Sequence, residues 1–225
     1  MVSVSAIITA AGKNSRMRED QIASNVPLKN KLTLPLKNSD GTESNVITET
    51  INHVLSCNID QIILVLGYYS DEILESITNI NEDKIKIVEN NPHDVGLSVS
   101  LLNGLKNTNS DIVLCTTGDQ PTVTTKTYNN ILSYILKSND PKHTISILRR
   151  RETGILKTPE GLGMPFAANR LELIKYLKSE NDNLNPILRK IFADGFQFYA
   201  IEENNPLELI NINHLTDYKT VYDKY

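Results

Sequence analysis

Gln61-Ile62-Ile63-Leu64-Val65-Leu66-Gly67 is an unbroken apolar run of strand length that closes on a glycine. A strand without polar alternation is buried on both faces, the condition of an interior strand in a parallel sheet. Outward from it, Val4–Thr9 and Asp111–Cys115 carry a similar β-rich signature, and Lys84–Val88 and Thr144–Leu148 also read as strands. Helical spacing fills the intervals. Val46, Ile47, Ile51, Val54 and Leu55 share one helical face that runs to Cys57, and Ile73, Leu74 and Ile77 share another. Ser98–Leu105 and Tyr128–Leu136 read as further helices. Repeated strand–helix units predict an α/β fold: three layers, a mostly parallel sheet, right-handed crossovers and helices on both faces.

The last third is less regular. Glu152–Gly163 holds three glycines and a proline and reads as a loop at the site. Leu171–Leu177 and Pro186–Phe192 read as helices, Phe196–Ile201 as a strand and Leu215–Tyr222 as a final helix. No linker or internal repeat interrupts the 225 residues, so 1–225 is expected to be one domain.

A net charge of -4 argues against a surface that coats nucleic acid, which carries a basic excess. A free nucleoside triphosphate needs only a few placed cations and backbone N–H groups. Cys57 and Cys115 sit in apolar stretches far apart, as expected of buried thiols in a reducing cytosol. The start lacks a basic export segment, and no run approaches the roughly 18 apolar residues of a membrane span. The expected location is cytoplasmic, without membrane contact.

Five segments carry chemistry. Ala10-Ala11-Gly12-Lys13-Asn14-Ser15-Arg16-Met17 follows the first strand. Its small residues admit close backbone approach, Gly12 can take positive φ, and Arg16 offers a fork of donors to phosphate. A plain strand-to-helix turn explains the stretch equally well. Lys31 opens Lys31-Leu32-Thr33-Leu34-Pro35 and can lean over phosphates, although Lys13, Lys29 and Lys37 lie nearby. In Asn91-Pro92-His93-Asp94-Val95-Gly96-Leu97-Ser98-Val99-Ser100-Leu101, Gly96 permits close approach and Ser98 or Ser100 stands at a helix start. Ordinary capping by Ser98 is the simpler local account.

Thr116-Thr117-Gly118-Asp119-Gln120-Pro121 follows a buried strand, where α/β sheets bind ligands. Asp119 there is placed to hold Mg²⁺; the alternative is a turn former before Pro121. Alternation puts Asn211 and Asn213 of Asn211-Ile212-Asn213-His214 on one face of a strand, where either can complete the metal shell or cap the next helix.

The order Ala-Ala-Gly-x-x-Ser-Arg-Met, Lys-Leu-x-Leu-Pro, Asn-Pro-x-x-x-Gly-Leu-x-x-Ser-Leu and Gly-Asp-Gln-Pro resembles the molybdenum-cofactor nucleotidyltransferase family, over about Ile7 to Tyr218. The Gly-Leu-Ser-Val-Ser-Leu and Gly-Asp-Gln-Pro versions are most similar to its cytidylyltransferase branch. The resemblance implies a Rossmann-like nucleotidyltransferase fold and Mg²⁺-dependent transfer of CMP from CTP to a small phosphorylated acceptor, molybdopterin. It further implies that Ala10, Ala11 and Gly12 line the nucleotide with Arg16 and Lys31 on its phosphates. Asn91, Gly96 and Ser100 would line base and ribose; Asp119 and Asn213, with Asn211 in reserve, would hold the metal.

Three features depart from that pattern. The connection from Met17 to Lys31 is longer than usual, Met164 replaces the His of a Gly-His-Pro segment, and Asn211-Ile212-Asn213 replaces Asp-Ile-Asp. Rival readings are a GTP-using or sugar- or alcohol-phosphate nucleotidyltransferase, and a non-catalytic nucleotide-binding chaperone.

Overall fold

The computed structural model describes residues 2–37, 41–77, 82–177 and 183–224. Its strands are β1 Val4–Ala10, β2 Pro35–Lys37, β3 Glu43–Asn45, β4 Gln61–Leu66, β5 Ile85–Glu89, β6 Ile112–Thr117, β7 Thr144–Leu148, β8 Gly154–Ile155, β9 Phe166–Asn169 and β10 Gln197–Ile201. The helices are α1 Ser15–Ala23, α2 Val46–Leu55, α3 Ser70–Ser76, α4 Leu97–Lys106, α5 Thr125–Lys137, α6 Arg170–Leu177, α7 Leu184–Ala193 and α8 Leu215–Tyr222. The main sheet runs β5-β4-β1-β6-β9-β7-β10-β8, and β2 and β3 form a separate ribbon.

β5, β4, β1 and β6 are mutually parallel, as are β7 and β10. β1 sits between β4 and β6 and is buried along its whole length. Adjacent residues therefore feed different cores. Ile8, Leu64 and Leu114 pack on one face against Ile47 and Ile51 of α2 and Tyr128 and Ile131 of α5. Ile7, Ile63 and Val113 pack on the other against Leu101 of α4, Leu173 of α6 and Leu188 of α7. This is the expected three-layer arrangement.

Register places the site. Ala10 pairs with Leu66, and Thr9 pairs with Thr117, so β1, β4 and β6 end flush. Their following loops all leave at the carboxyl edge, where ligands gather in such sheets.

Four local expectations change. β9, four residues of Phe-Ala-Ala-Asn, enters antiparallel between β6 and β7. So short a run, half of it alanine, carries little β signal of its own, and its two neighbours impose the conformation. The Glu152–Gly163 stretch is not all loop: Gly154 and Ile155 pair with Ala200 and Tyr199 at the sheet edge. The β2–β3 ribbon, three residues a side, is too short to carry a pattern in the sequence. Asn211–Asn213 is not a strand. It holds one ladder-like bond, Ile212 N–H to the Asp119 carbonyl at 3.0 Å.

No helix among the described residues is long and apolar enough to cross a membrane. Cys57 and Cys115 are free and buried, on opposite cores. Burial pushes the Cys57 thiol up to about 12 and also raises that of Cys115. Both should therefore resist a thiol reagent such as dithionitrobenzoate in native protein at mildly alkaline pH. In guanidinium chloride both should react; rapid titration of either in the native state would contradict the packing described.

Candidate active site

Ala10 ends β1 as a buried residue, and Ala11 and Gly12 continue into open space at the sheet edge. The loop turns at Asn14 and not at Gly12. Asn14 takes the left-handed conformation (φ 59°), whereas Gly12 does not have positive φ. A Cβ added at Gly12 would meet no protein atom within 4 Å, so its lack of a side chain leaves the cavity clear. Asn tolerates this conformation better than other non-glycine residues, and its side chain is used as well.

Asn14 Nδ2 donates to the Lys29 carbonyl at 3.0 Å, and its Oδ1 accepts from the Lys31 N–H at 3.3 Å. Gln21, buried on α1, clasps both backbone groups of Lys29 at 3.2 Å. The long Met17–Lys31 connection is thereby a helix plus a stapled return. It brings Lys31 to the cleft.

Lys31 Nζ lies 2.5 Å from Asp119 Oδ2 and donates to Asn213 Oδ1 at 3.1 Å. Arg16 donates to the same Asn213 oxygen at 3.0 Å. Thr117 Oγ1 approaches the other Asp119 oxygen at 2.6 Å. Four segments far apart in the chain are thereby joined in one line of contacts, from Arg16 through Asn213 and Lys31 to Asp119.

Two adjoining cavities of about 240 and 210 Å³ surround this point and share Gly12, Asn14, Arg16, Lys31 and Asn213. Ala10, Ala11, Ser100 and Asp119 line the larger one. Asn91 and Gly96 are not in either lining. Asn91 is exposed, and Gly96 forms the N-cap of α4. Ser98 is accordingly not the cap; it lies buried inside the first turn. The preceding residue, Asn90, is the one that reaches the wall. It is buried and donates to Ser100 Oγ at 2.9 Å.

Asn211 and Asn213 part company. Asn211 Oδ1 accepts from Gln120 Nε2 and Arg150, each at 3.2 Å, on the side away from Lys31. His214 starts α8 and pairs with Asp20 at 3.0 Å, outside both cavities.

Several supports gave no sequence signal. Gln120 is fully buried, accepting from Thr116 Oγ1 at 3.2 Å and donating to the Met164 carbonyl at 3.2 Å. Glu208, also fully buried, accepts from Thr124 N–H, Thr124 Oγ1, Thr127 Oγ1 and Asn204 N–H at 2.7–3.0 Å. It ties the segment carrying Asn211 and Asn213 to the start of α5. A polar residue flanked by apolar ones, Leu207-Glu208-Leu209, was the one available hint. Burial lowers the Arg150 guanidinium from its usual range, and the Asp119 carboxylate opposes that shift.

A cleft at the carboxyl edge of a parallel sheet, with one carboxylate among two cations and an open glycine loop, suits triphosphate chemistry. Residues 6–190 match the MobA-like NTP transferase domain. The chain belongs to that family.

This MobA-like chain is 25% identical to molybdenum cofactor cytidylyltransferase of Escherichia coli (strain K12), over 100% of its own length and 98% of that protein's. Among solved structures, a nucleotidyl transferase from Methanothermobacter thermautotroptrophicus is 38% identical, with a TM-score of 0.88 over 98% of this chain and 96% of the other. Rv0371C of Mycobacterium tuberculosis, in complex with manganese, is 19% identical with a TM-score of 0.64, covering 99% and 100%. That last likeness is one of fold. The MobA-like protein is thus an enzyme, a nucleotidyltransferase, and the reading as a non-catalytic chaperone is set aside.

Replacing Gln21 by Ala should release the return loop to Lys31 and remove two hydrogen bonds. We expect a loss of about 1–2 kcal/mol in urea unfolding together with weaker nucleotide binding. Unchanged stability and affinity would show that the loop is held elsewhere.

Proposed function

We propose that this enzyme transfers CMP from CTP, with Mg²⁺, to the terminal phosphate of a small acceptor, molybdopterin, releasing pyrophosphate. We propose further that residues 1–225 act as one nucleotidyltransferase domain, in the cytoplasm. The observation that carries the reading is the convergence of Asp119 Oδ2 and Asn213 Oδ1 on one cationic point, with Arg16 alongside. The name of the Escherichia coli relative and the Gly-Asp-Gln-Pro segment support cytidine over guanosine.

The residues fit a divalent ion. Asp119 and Asn213 present a carboxylate and an amide oxygen, the hard donors that Mg²⁺ prefers, across a gap now filled by a lysine. Among the described residues no group of three or more His, Cys, Asp and Glu converges. Such a site relies on substrate phosphates for its remaining ligands. When bound, the ion supplies charge neutralisation at the α-phosphate.

The chain's own residues do the rest. The Ala10–Gly12 loop admits the nucleotide close to the backbone. Lys31 turns from Asp119 to the phosphates, and Arg16 with it stabilises the charge that builds on the leaving group. The acceptor's phosphate oxygen forms a bond to the α-phosphorus as the bond to the β-phosphate oxygen breaks, and pyrophosphate leaves with the electron pair. A phosphate monoester is ionised near neutral pH, so no general base is needed. Positioning and preorganised charge carry the rate.

Asp119→Ala should keep its fold by circular dichroism and lose about 10²–10³ or more in Mg²⁺-dependent pyrophosphate release. Near-normal release with CTP would sink the assignment. In a thermal-shift panel with Mg²⁺, CTP should raise Tm more than GTP, ATP or UTP. A larger shift with GTP would move the enzyme to the guanylyl branch.

A further inference from the structure

A third cavity, of about 630 Å³, opens beside the nucleotide cleft and shares Thr117 and Leu97 with it. Arg150, Asn211 and Met164 line it together with Asn185, in the first turn of α7, and Arg189, in the middle of that helix. It reaches Thr117, two residues before Asp119, and lies outside the Ala10–Gly12 loop.

Arg150 is the middle one of three consecutive arginines. Arg149 forks onto Glu203 and Arg151 meets Glu160. Arg150 has no carboxylate within ion-pair distance among the described residues. Its partners are neutral: the Leu209 carbonyl at 2.6 Å, the Met164 carbonyl at 2.7 Å and Asn211 Oδ1 at 3.2 Å. A guanidinium has five N–H donors, so these three bonds leave two.

The fold holds this side chain deliberately placed. Gly161 has φ +71°, and a Cβ there would lie 2.9 Å from Arg150 Cβ. The loop before Met164 therefore closes on Arg150 through a residue that only glycine fills without strain. A half-buried cation held by neutral oxygens and facing a cavity is short of an anion. Arg189 supplies a second, exposed positive charge in the same lining, and the N-terminal end of α7 adds its partial positive charge.

We propose that Arg150 and Arg189 bind the phosphomonoester of the acceptor in this cavity, orienting its oxygen toward the nucleotide past Thr117. The inference rests on the nucleotidyltransferase reading above and adds the acceptor's place and charge. Asn185 and Asn211 offer amide groups to a polar body, while Leu162 and Met164 form an apolar wall.

The test is a calorimetric titration of phenyl phosphate into the full chain saturated with α,β-methylene-CTP and Mg²⁺, which blocks the Arg16–Lys31 phosphate site. Wild type should bind. Arg150→Gln should weaken phenyl phosphate about tenfold or more, and Arg189→Gln several-fold, with the nucleotide analogue's affinity unchanged within about twofold. Arg150→Lys, which keeps the charge and loses the fork, should fall between. Arg189→Gln, on an exposed helical position, keeps the test intact should Arg150→Gln fail to fold. Absence of binding to wild type, or equal binding by Arg189→Gln and either folded Arg150 variant, would overturn the proposal. Failure of the analogue itself to bind would overturn the CTP reading instead. In that event the same titration without nucleotide still decides whether Arg150 and Arg189 hold a phosphomonoester.

Discussion

Lys31 and Asp119 meet at 2.5 Å with both side chains largely withdrawn from water, and the site is organised around that contact. An ion so placed cannot be left alone, because desolvation without a partner costs several kcal/mol. The pair therefore obliges two segments 88 residues apart to arrive together. Asn213, contributed from near the end of the chain, shares its oxygen between Lys31 and Arg16 and so extends the cluster to a second cation. The arrangement is also one that can change hands. Each cation now contacts neutral or anionic oxygens of the protein, and those contacts can be exchanged for phosphate.

The scaffold makes this meeting possible by register. Because β1, β4 and β6 end level, the loops after them start from one edge and need to span little distance. Behind this cluster stand two buried braces. Gln120 links the end of β6 to Met164 and Asn211, and Glu208 pins the approach to Asn213 against α5. Each is saturated with partners, as a buried polar group must be. On one side of the cluster lies the Ala10–Gly12 loop, and on the other the Arg150 cavity. Asp119 and Thr117 stand at the boundary, where a bond between two substrates would form.

Much of the fold was legible in the residues. Continuous apolar strands such as Gln61–Gly67 can be buried only on both faces, and their alternation with amphipathic helices leaves few topologies. Leu215–Tyr222 and Thr144–Leu148 have the bounds their patterns predicted. Elements too short to carry a period escaped: β9, β8 and the β2–β3 ribbon are shaped by their neighbours more than by their own side chains. The Asn211–Asn213 alternation is present, since Ile212 is buried and the two asparagines are only partly so, yet the segment belongs to no strand.

For the site, the Ala10–Gly12 loop, Arg16 and Asp119 were candidates by their chemistry and their places after strands, which are local properties, whereas Lys31 stood out from its neighbouring lysines only through the family resemblance. What the sequence could not supply was distance. Only the folded chain separates Asn213, on Lys31, from Asn211, on Gln120 and Arg150. Only the folded chain moves the turn from Gly12 to Asn14 and shows how Gln21 returns Lys31 across a long connection. The physical reason is the same in each case. A side chain's type is written in one residue, whereas its partner is chosen by the packing of segments that the sequence keeps far apart.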